Sequence, residues 1–269
     1  MSNSMPIHEL LMPWIENHIG MPLSNLRTDP IPVVSSLNAE SHPLTACKLG
    51  HRGAISSRVE WVSKLQPLVT NIPMDMLFSP FGCAELARVT LSDDYGIWGP
   101  NWYFFGDATT LKPYDDERWQ AYSPMQLGCI DHKLFWHCSQ EAIQGFGIEE
   151  QGELVALAVV TEHSHPVWEI GMDVIPSAKA RGLGRSVVSA AANWVVQNNR
   201  YVVATVGPFN VPSVRTLRAS GLKYSFMTLK AAPGPFQIPP QPLGSPLPDA
   251  EVYNYYPQWA MNQCVKPKP

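Results

Sequence analysis

The fold class is decided by WEIGMDVIP (Trp168–Pro176) and the SAKARGLGRS that follows it (Ser177–Ser186). The first segment predicts a strand, and the apolar spacing from Gly184 to Asn199 predicts a helix. Between them lies a short loop with Gly182 and Gly184. Glycines let the backbone approach a ligand closely, and the N–H groups at a helix start attract anions. The stretch therefore predicts a loop that binds a diphosphate without a metal ion.

The elements around this loop predict a mixed α/β domain. Two strands, 145–150 and 153–161, flank a Gln151-Gly152 turn, which is a hairpin signal. Further predicted elements, in chain order, are strands 168–175 and 201–206, helix 212–220, strand 222–229, a proline-rich loop 231–249 and a last strand 251–256.

The part before the hairpin predicts helices more often than strands. Helices are expected at 6–19, 54–68 and 79–91, with Phe81, Leu86 and Val89 facing inward, and residues 20–50 are expected to be irregular. An aromatic segment, 96–106, predicts a strand, and 115–122 and 132–143 predict short helices. We therefore expect a mostly helical region at 1–100, serving the substrate side or packing, and a second domain at 101–269.

Composition excludes several classes of partner. The net charge of −4 gives no electrostatic reason to expect binding to nucleic acid or to an anionic membrane. No apolar run is long enough to span a bilayer, and the N-terminus does not resemble a secretory signal. The five cysteines are widely spread, which favours reduced thiols and a cytoplasmic location. Cys129 and Cys138 are expected to be buried structural thiols.

The glycine loop and the segment after it resemble the GNAT superfamily of acyl-CoA-dependent N-acyltransferases. The loop signature reads Lys179-Ala-Arg-Gly182-Leu-Gly184, with Lys179 where Gln or Arg is usual. Asn210 follows the next predicted strand, and Gly221 and an apolar residue come eleven residues after it. The resemblance covers roughly residues 145–230 and implies a mixed, mostly antiparallel sheet flanked by helices, with a largely helical N-terminal extension.

The resemblance also implies a cofactor and a reaction. Acetyl-CoA would donate its acetyl group directly to a primary amine of a small-molecule or peptide acceptor, without a metal, and a homodimer is an open possibility. The backbone N–H of Val174 would polarise the thioester carbonyl. The residues that the resemblance assigns to cofactor binding are Met172, Asp173, Val174, Lys179, Ala180, Arg181, Gly182, Leu183, Gly184, Arg185, Ser186, Asn210 and Ser213.

The catalytic groups are predicted from strand position and from the family pattern. An amine is mostly protonated at pH 7, so a base must take a proton, and Glu169 on the strand before the loop is the first candidate, with Asp173 second. The family's usual tyrosine is replaced by Leu217, and a glutamate found in some members is replaced by Thr205. The acid is therefore expected to be Tyr224, Ser213 or solvent.

Other functions are weighed on the same residues. A Rossmann site would need a third glycine and an acidic residue after the next strand, and both are missing. A coenzyme A-binding sensor or interaction module without catalysis is favoured by Leu217 and Thr205. His163 and His165 lack a third ligand at motif spacing, so no metal site is expected. His132 and His137 are expected on a helix surface or in a substrate cleft.

Overall fold

A computed structural model describes residues 7–114 and 116–234. The helices in these ranges are α1 (Ile7–Ile19), α2 (Val59–Thr70), α3 (Met74–Leu77), α4 (Pro80–Thr90), α5 (Pro124–Leu127), α6 (Leu183–Gln197) and α7 (Val211–Ala219). The strands are β1 (Val33–Ser35), β2 (Leu44–Leu49), β3 (Arg52–Ser57), β4 (Tyr95–Gly106), β5 (Gln120–Tyr122), β6 (Gln144–Glu150), β7 (Glu153–Glu162), β8 (Val167–Val174), β9 (Tyr201–Val206) and β10 (Lys223–Pro233).

The chain divides into two compact units. The first contains the residues up to Trp102 and the described residues from Ser225 onward, and the second runs from Tyr103 to Tyr224. One boundary lies within β4, between Trp102 and Tyr103. The other lies within β10, between Tyr224 and Ser225, where no boundary is predicted.

The first unit packs helices on a mixed sheet. Its strands lie in the order β1-β3-β2-β10-β4, with β1 parallel to β3 and the pairs β3–β2 and β2–β10 antiparallel. Helix α2 buries Trp61, Leu65 and Val69 in the core. Helix α4 begins at Pro80, one residue after the predicted start, and buries Leu86, but Phe81 is exposed and Val89 is only partly buried.

Strands β1, β2 and β3 lie where the sequence predicts irregular chain or helix. Ser56 and Ser57 in β3 and Thr45 in β2 are fully buried. The Ser56 hydroxyl donates to the carbonyl of Ile19 at the end of α1, which satisfies one of these polar groups. Because small polar residues occupy buried positions, these strands lack the alternation of apolar and polar residues that marks a half-buried strand.

The second unit is built on the predicted hairpin. Its strands lie in the order β4-β9-β8-β7-β6-β5, with antiparallel pairs from β5 to β8 and a parallel pair between β8 and β9. Gln151 and Gly152 both have positive φ, of 54° and 83°, as a tight two-residue turn requires. Helix α6 covers this sheet, and its Trp194 stacks on Trp168 of β8 at 5.3 Å between ring centroids.

Two predicted helices of the second unit are absent. The segment 132–143 forms turns, and in residues 116–122 the described structure is a loop followed by β5. The two ring nitrogens of His132 contact the carbonyl oxygens of Leu127 and Cys138 at 3.1 and 3.0 Å, which folds this segment back on itself. Three residues of the segment, Phe135, Cys138 and Ala142, are buried in the hydrophobic core. The predicted strand 251–256 and loop residues 235–249 lie outside the described residues.

The described cysteines have different environments. Cys47, Cys83 and Cys138 are buried, whereas Cys129 is exposed, so the prediction for Cys129 was wrong. Burial raises the pKa of Cys47 and of Cys83 to about 12 and places the pKa of Cys138 well above its usual range. These three thiols therefore stay protonated near neutral pH.

Candidate active site

Strand β8 has one edge paired along its length and one edge paired only at its start. It pairs with β7 from Trp168 to Val174, but its parallel register with β9 covers only Val167–Glu169. The Ile175 N–H donates to the Val155 carbonyl. Because hydrogen-bonded and non-hydrogen-bonded pairs alternate in an antiparallel ladder, the backbone groups of Met172 and Val174 point away from β7. Two N–H and two C=O groups of β8 thus face the side where β9 is no longer paired.

The loop before α6 presents a row of backbone amides. Within the described residues, none of the N–H groups from Lys179 to Gly184 donates to a recorded acceptor. Gly182 has φ 79° and Ala180 has φ 61°, so the chain turns twice in left-handed conformation before the helix begins. The N–H groups of Arg185 and Ser186 instead donate to the Gly182 carbonyl, at 3.0 and 3.2 Å.

A cavity of about 420 Å³ joins the edge of β8 to this loop. The predicted cofactor residues that line it are Met172, Asp173, Val174, Lys179, Ala180, Gly182, Leu183, Gly184, Arg185 and Ser213. Arg181, Ser186 and Asn210 do not line it. A Cβ on Gly184 would lie 2.6 Å from Met172 Cε and 3.4 Å from Val174 Cγ2, so α6 approaches the side chains of β8 closely at this glycine.

Positive charge surrounds the cavity. Lys179, Arg185 and Arg215 line it, and the Arg185 guanidinium lies 4.3 Å from the centroid of the Tyr114 ring. The Nε of Arg185 is buried without a hydrogen-bond partner among the described residues. The Arg181 side chain is already engaged, because it forms a bidentate ion pair with Glu150 at 2.7 Å for both contacts. That partner lowers the pKa of Glu150.

A histidine–aspartate pair that the sequence did not predict lies in the same cavity. The Asp173 carboxylate is buried, and its Oδ2 accepts the backbone N–H of His137 at 2.8 Å. Its Oδ1 lies 2.6 Å from Nδ1 of His137. The two residues are 36 positions apart in the chain, and no motif links them. The expectation that His137 lies on a helix is wrong, whereas its expected place in a cleft matches its position in the cavity wall.

Glu169 lies on the same face of β8 as Asp173 but outside the cavity wall. The Thr205 hydroxyl donates to its Oε1 at 2.9 Å, and His163 Nε2 contacts its Oε2 at 2.7 Å. Both carboxylate oxygens therefore have a partner.

The described contacts of Tyr224 and Asn210 are within the fold. Tyr224 meets Phe104 edge-on at 6.0 Å between ring centroids and does not line the cavity. Asn210 is the N-cap of α7, and its Oδ1 accepts the Ser213 N–H at 3.3 Å. Leu217, at the position usual for tyrosine, is buried.

No group of three or more His, Cys, Asp or Glu side chains is arranged to hold a metal ion in residues 7–114 and 116–234. None of the helices in these ranges combines the length and the apolarity needed to cross a bilayer.

An open strand edge beside a glycine loop at a helix N-terminus defines a class of α/β domain with a cleft suited to a diphosphate-bearing ligand. Residues 111–222 match the model of the Acetyltransferase (GNAT) family. Residues 111–222 thus resemble an acetyltransferase domain of this family, and the matched range falls within the second unit. No curated protein matches the chain.

Solved structures resemble the chain at low identity. A GNAT-family protein from Novosphingobium aromaticivorans is 15% identical over 51% of this chain and 66% of its own, with a TM-score of 0.42. A GNAT-family acetyltransferase from Colwellia psychrerythraea is 13% identical over 52% and 58%, with a TM-score of 0.42. A GCN5-related N-acetyltransferase from Kribbella flavida is 19% identical over 55% and 64%, with a TM-score of 0.38. The chain thus spans between 58% and 66% of the lengths of these proteins.

Proposed function

We propose that this chain transfers an acetyl group from acetyl-CoA to a primary amine of a small-molecule or peptide acceptor. The observation that carries the proposal is that the loop with the row of amides and the open edge of β8 share one cavity, which is lined by Lys179, Ala180, Gly182, Leu183, Gly184, Met172 and Val174. A long polar ligand with a diphosphate at one end and amide groups along its arm needs both features.

The loop fits the diphosphate in charge and in geometry. Six consecutive N–H groups without recorded acceptors lead into a helix of 15 residues, whose N-terminus carries a partial positive charge. Lys179 and Arg185 add formal positive charge at the cavity wall. The family resemblance implies that the amides of Arg181–Ser186 hold the diphosphate. Because the amides of Arg185 and Ser186 already donate to the Gly182 carbonyl, we assign the diphosphate to the amides of Lys179–Gly184 instead.

The edge of β8 fits the amide-bearing arm of coenzyme A. The N–H and C=O groups of Met172 and Val174 would pair with the arm as a neighbouring strand does. The Val174 N–H would polarise the thioester carbonyl. When bound, acetyl-CoA supplies an activated acyl group, while the residues of this chain bind it, orient it and handle the proton of the amine.

A second function is favoured by particular residues. Leu217 is a buried core residue, and Thr205 binds Glu169 instead of facing a ligand. These replacements suit a module that binds coenzyme A and signals its presence without catalysis. Binding and turnover must therefore be measured separately.

The test of donor binding is calorimetry with coenzyme A on the whole chain. We expect Gly184→Asp to weaken affinity at least about tenfold, which corresponds to 1.4 kcal/mol, because it adds a negative charge and a side chain to the cavity wall. Gly128→Asp is the matched control, since Gly128 is exposed and a Cβ there makes only ordinary contacts, at 3.5 Å or more. Equal affinity of the two variants would refute the site.

The test of turnover is release of free thiol from acetyl-CoA with a panel of primary amines. Amine-dependent release by the wild-type chain supports the transferase. Tight binding without release on any amine, in an assay where a control acetyltransferase works, supports the binding module instead.

A further inference from the structure

We infer that His137, held by Asp173, is the general base that takes the proton from the acceptor amine. The inference rests on the proposed function and names a residue for the step that the sequence assigned to Glu169. It is carried by the position of the pair, which shares one cavity with the backbone groups of Met172 and Val174.

The contacts of Asp173 fix both the tautomer and the orientation of the ring. A buried carboxylate accepts hydrogen bonds, so the Nδ1 of His137, 2.6 Å from Oδ1, carries the proton in the neutral ring. Nε2 is then the basic nitrogen. Within the described residues Nε2 has no recorded partner, so its lone pair is available to a ligand.

The backbone around His137 is held as tightly as its ring. Its N–H donates to the same carboxylate at 2.8 Å. A Cβ on Gly171 would lie only 2.1 Å from the His137 carbonyl oxygen, so the segment passes directly over β8 at the residue that has no side chain. The Trp136 ring lies against the imidazole at 4.1 Å between centroids. A base must be positioned to within a fraction of an ångström, and these contacts position this one.

Glu169 lacks these properties. Both of its oxygens already have partners, Thr205 and His163, and it does not line the cavity. Glu169 thus lies outside the cavity wall with one partner on each oxygen, whereas His137 lines the cavity.

The step balances without a further reactant. The amine nitrogen forms a bond to the thioester carbonyl carbon while its proton moves to Nε2 of His137. The carbon–sulfur bond breaks, and its electron pair stays on sulfur. The imidazolium then returns its proton to the thiolate or to water, so His137 ends as it began. Asp173 stabilises the imidazolium and is a positioning residue.

The principal experiment compares His137→Gln, Asp173→Asn and Glu169→Gln with the wild-type chain. Turnover is measured with the amine panel and, as hydrolysis, with water as the acceptor. We expect His137→Gln to lower kcat at least about a hundredfold while coenzyme A affinity stays unchanged. His51→Gln, at an exposed turn between β2 and β3, is the matched control and should leave kcat unchanged. Loss of kcat in Glu169→Gln with normal kcat in His137→Gln would overturn the inference.

The pH profile tests chemistry rather than folding. In the wild type, kcat/KM should fall at acidic pH as the base becomes protonated, and this limb should disappear in His137→Gln. The charged groups that share the cavity with His137 are Asp173, Lys179, Arg185 and Arg215. Glu169 lies on the same face of β8 as Asp173, outside the cavity wall. Imidazole added to His137→Ala should restore part of the turnover, which a merely structural histidine would not allow.

A spectroscopic measurement covers the case in which a variant fails to fold. Nitrogen-15 NMR of the wild-type imidazole should show a protonated Nδ1 and an unprotonated Nε2 for His137, and the reverse tautomer would overturn the inference. Failure of the proposed function has a different signature, because the wild-type chain would then bind no coenzyme A or release no thiol with any acceptor, water included.

Discussion

At the scale of single residues, the sequence predicts local features such as turns better than it predicts contacts between residues far apart in the chain. Gly182 and Gly184 were found from spacing alone, because a turn and a helix start are dictated by adjacent residues. The contact between His137 and Asp173 could not be predicted from the sequence, because one residue lies in a turn segment and the other in a strand 36 residues away. Glu169 was chosen by its strand position, and only the structure reveals that Thr205 and His163 occupy its oxygens.

Gly171 offers a residue-scale prediction about the segment that carries His137. We expect Gly171→Ala to push the His137 carbonyl off β8, lowering the free energy of unfolding by about 1–3 kcal/mol and lowering kcat more than it changes coenzyme A affinity. Denaturant unfolding and steady-state kinetics measure the two effects. Gly128→Ala, where there is room for a Cβ, is the control. A normal kcat in a folded Gly171→Ala protein would show that the position of the segment does not matter.

At the scale of elements, the sequence was most informative where periodicity and turns agree. From Gln144 to Ala219 the predicted hairpin, β8, α6, β9 and α7 are confirmed to within one or two residues at their ends. The strands β2 and β3 were missed because buried Ser and Thr hide their pattern. The helix expected at 132–143 is absent, and the segment forms consecutive turns that bury three of its apolar residues. The ring nitrogens of His132 stabilise these turns through their contacts with two backbone carbonyls.

Helix α7 gives a prediction that separates capping from ligand binding. Asn210→Asp keeps an oxygen for the Ser213 N–H and suits a helix N-terminus, so stability should stay close to that of the wild type. Asn210→Ala loses the cap and should cost about 1 kcal/mol. If the Asn210 amide also donates to the arm of coenzyme A, as the family resemblance implies, both variants should lose affinity. Unchanged affinity in Asn210→Asp would limit this residue to capping.

At the scale of the whole molecule, the proposed ligand would complete a sheet. Bound coenzyme A at 100 times its dissociation constant should add about 2.7 kcal/mol to the stability of the folded state. Hydrogen exchange should slow at the amides of Met172 and Val174 and along Lys179–Gly184, since these groups would gain acceptors. The amides of Gly171 and Asp173, which face β7, should change less and serve as internal controls. Equal protection of both sets would contradict the assigned edge.

The contrast among the cysteines has a practical consequence. Because Cys47, Cys83 and Cys138 are buried with raised pKa values, Cys129 is the one described thiol that a maleimide dye would label. In a Cys264→Ser background, a fluorophore on Cys129 would become a single reporter just after α5, eight residues before His137 along the chain. Its emission would follow this segment in real time as donor and acceptor arrive, and so reveal the order in which they bind.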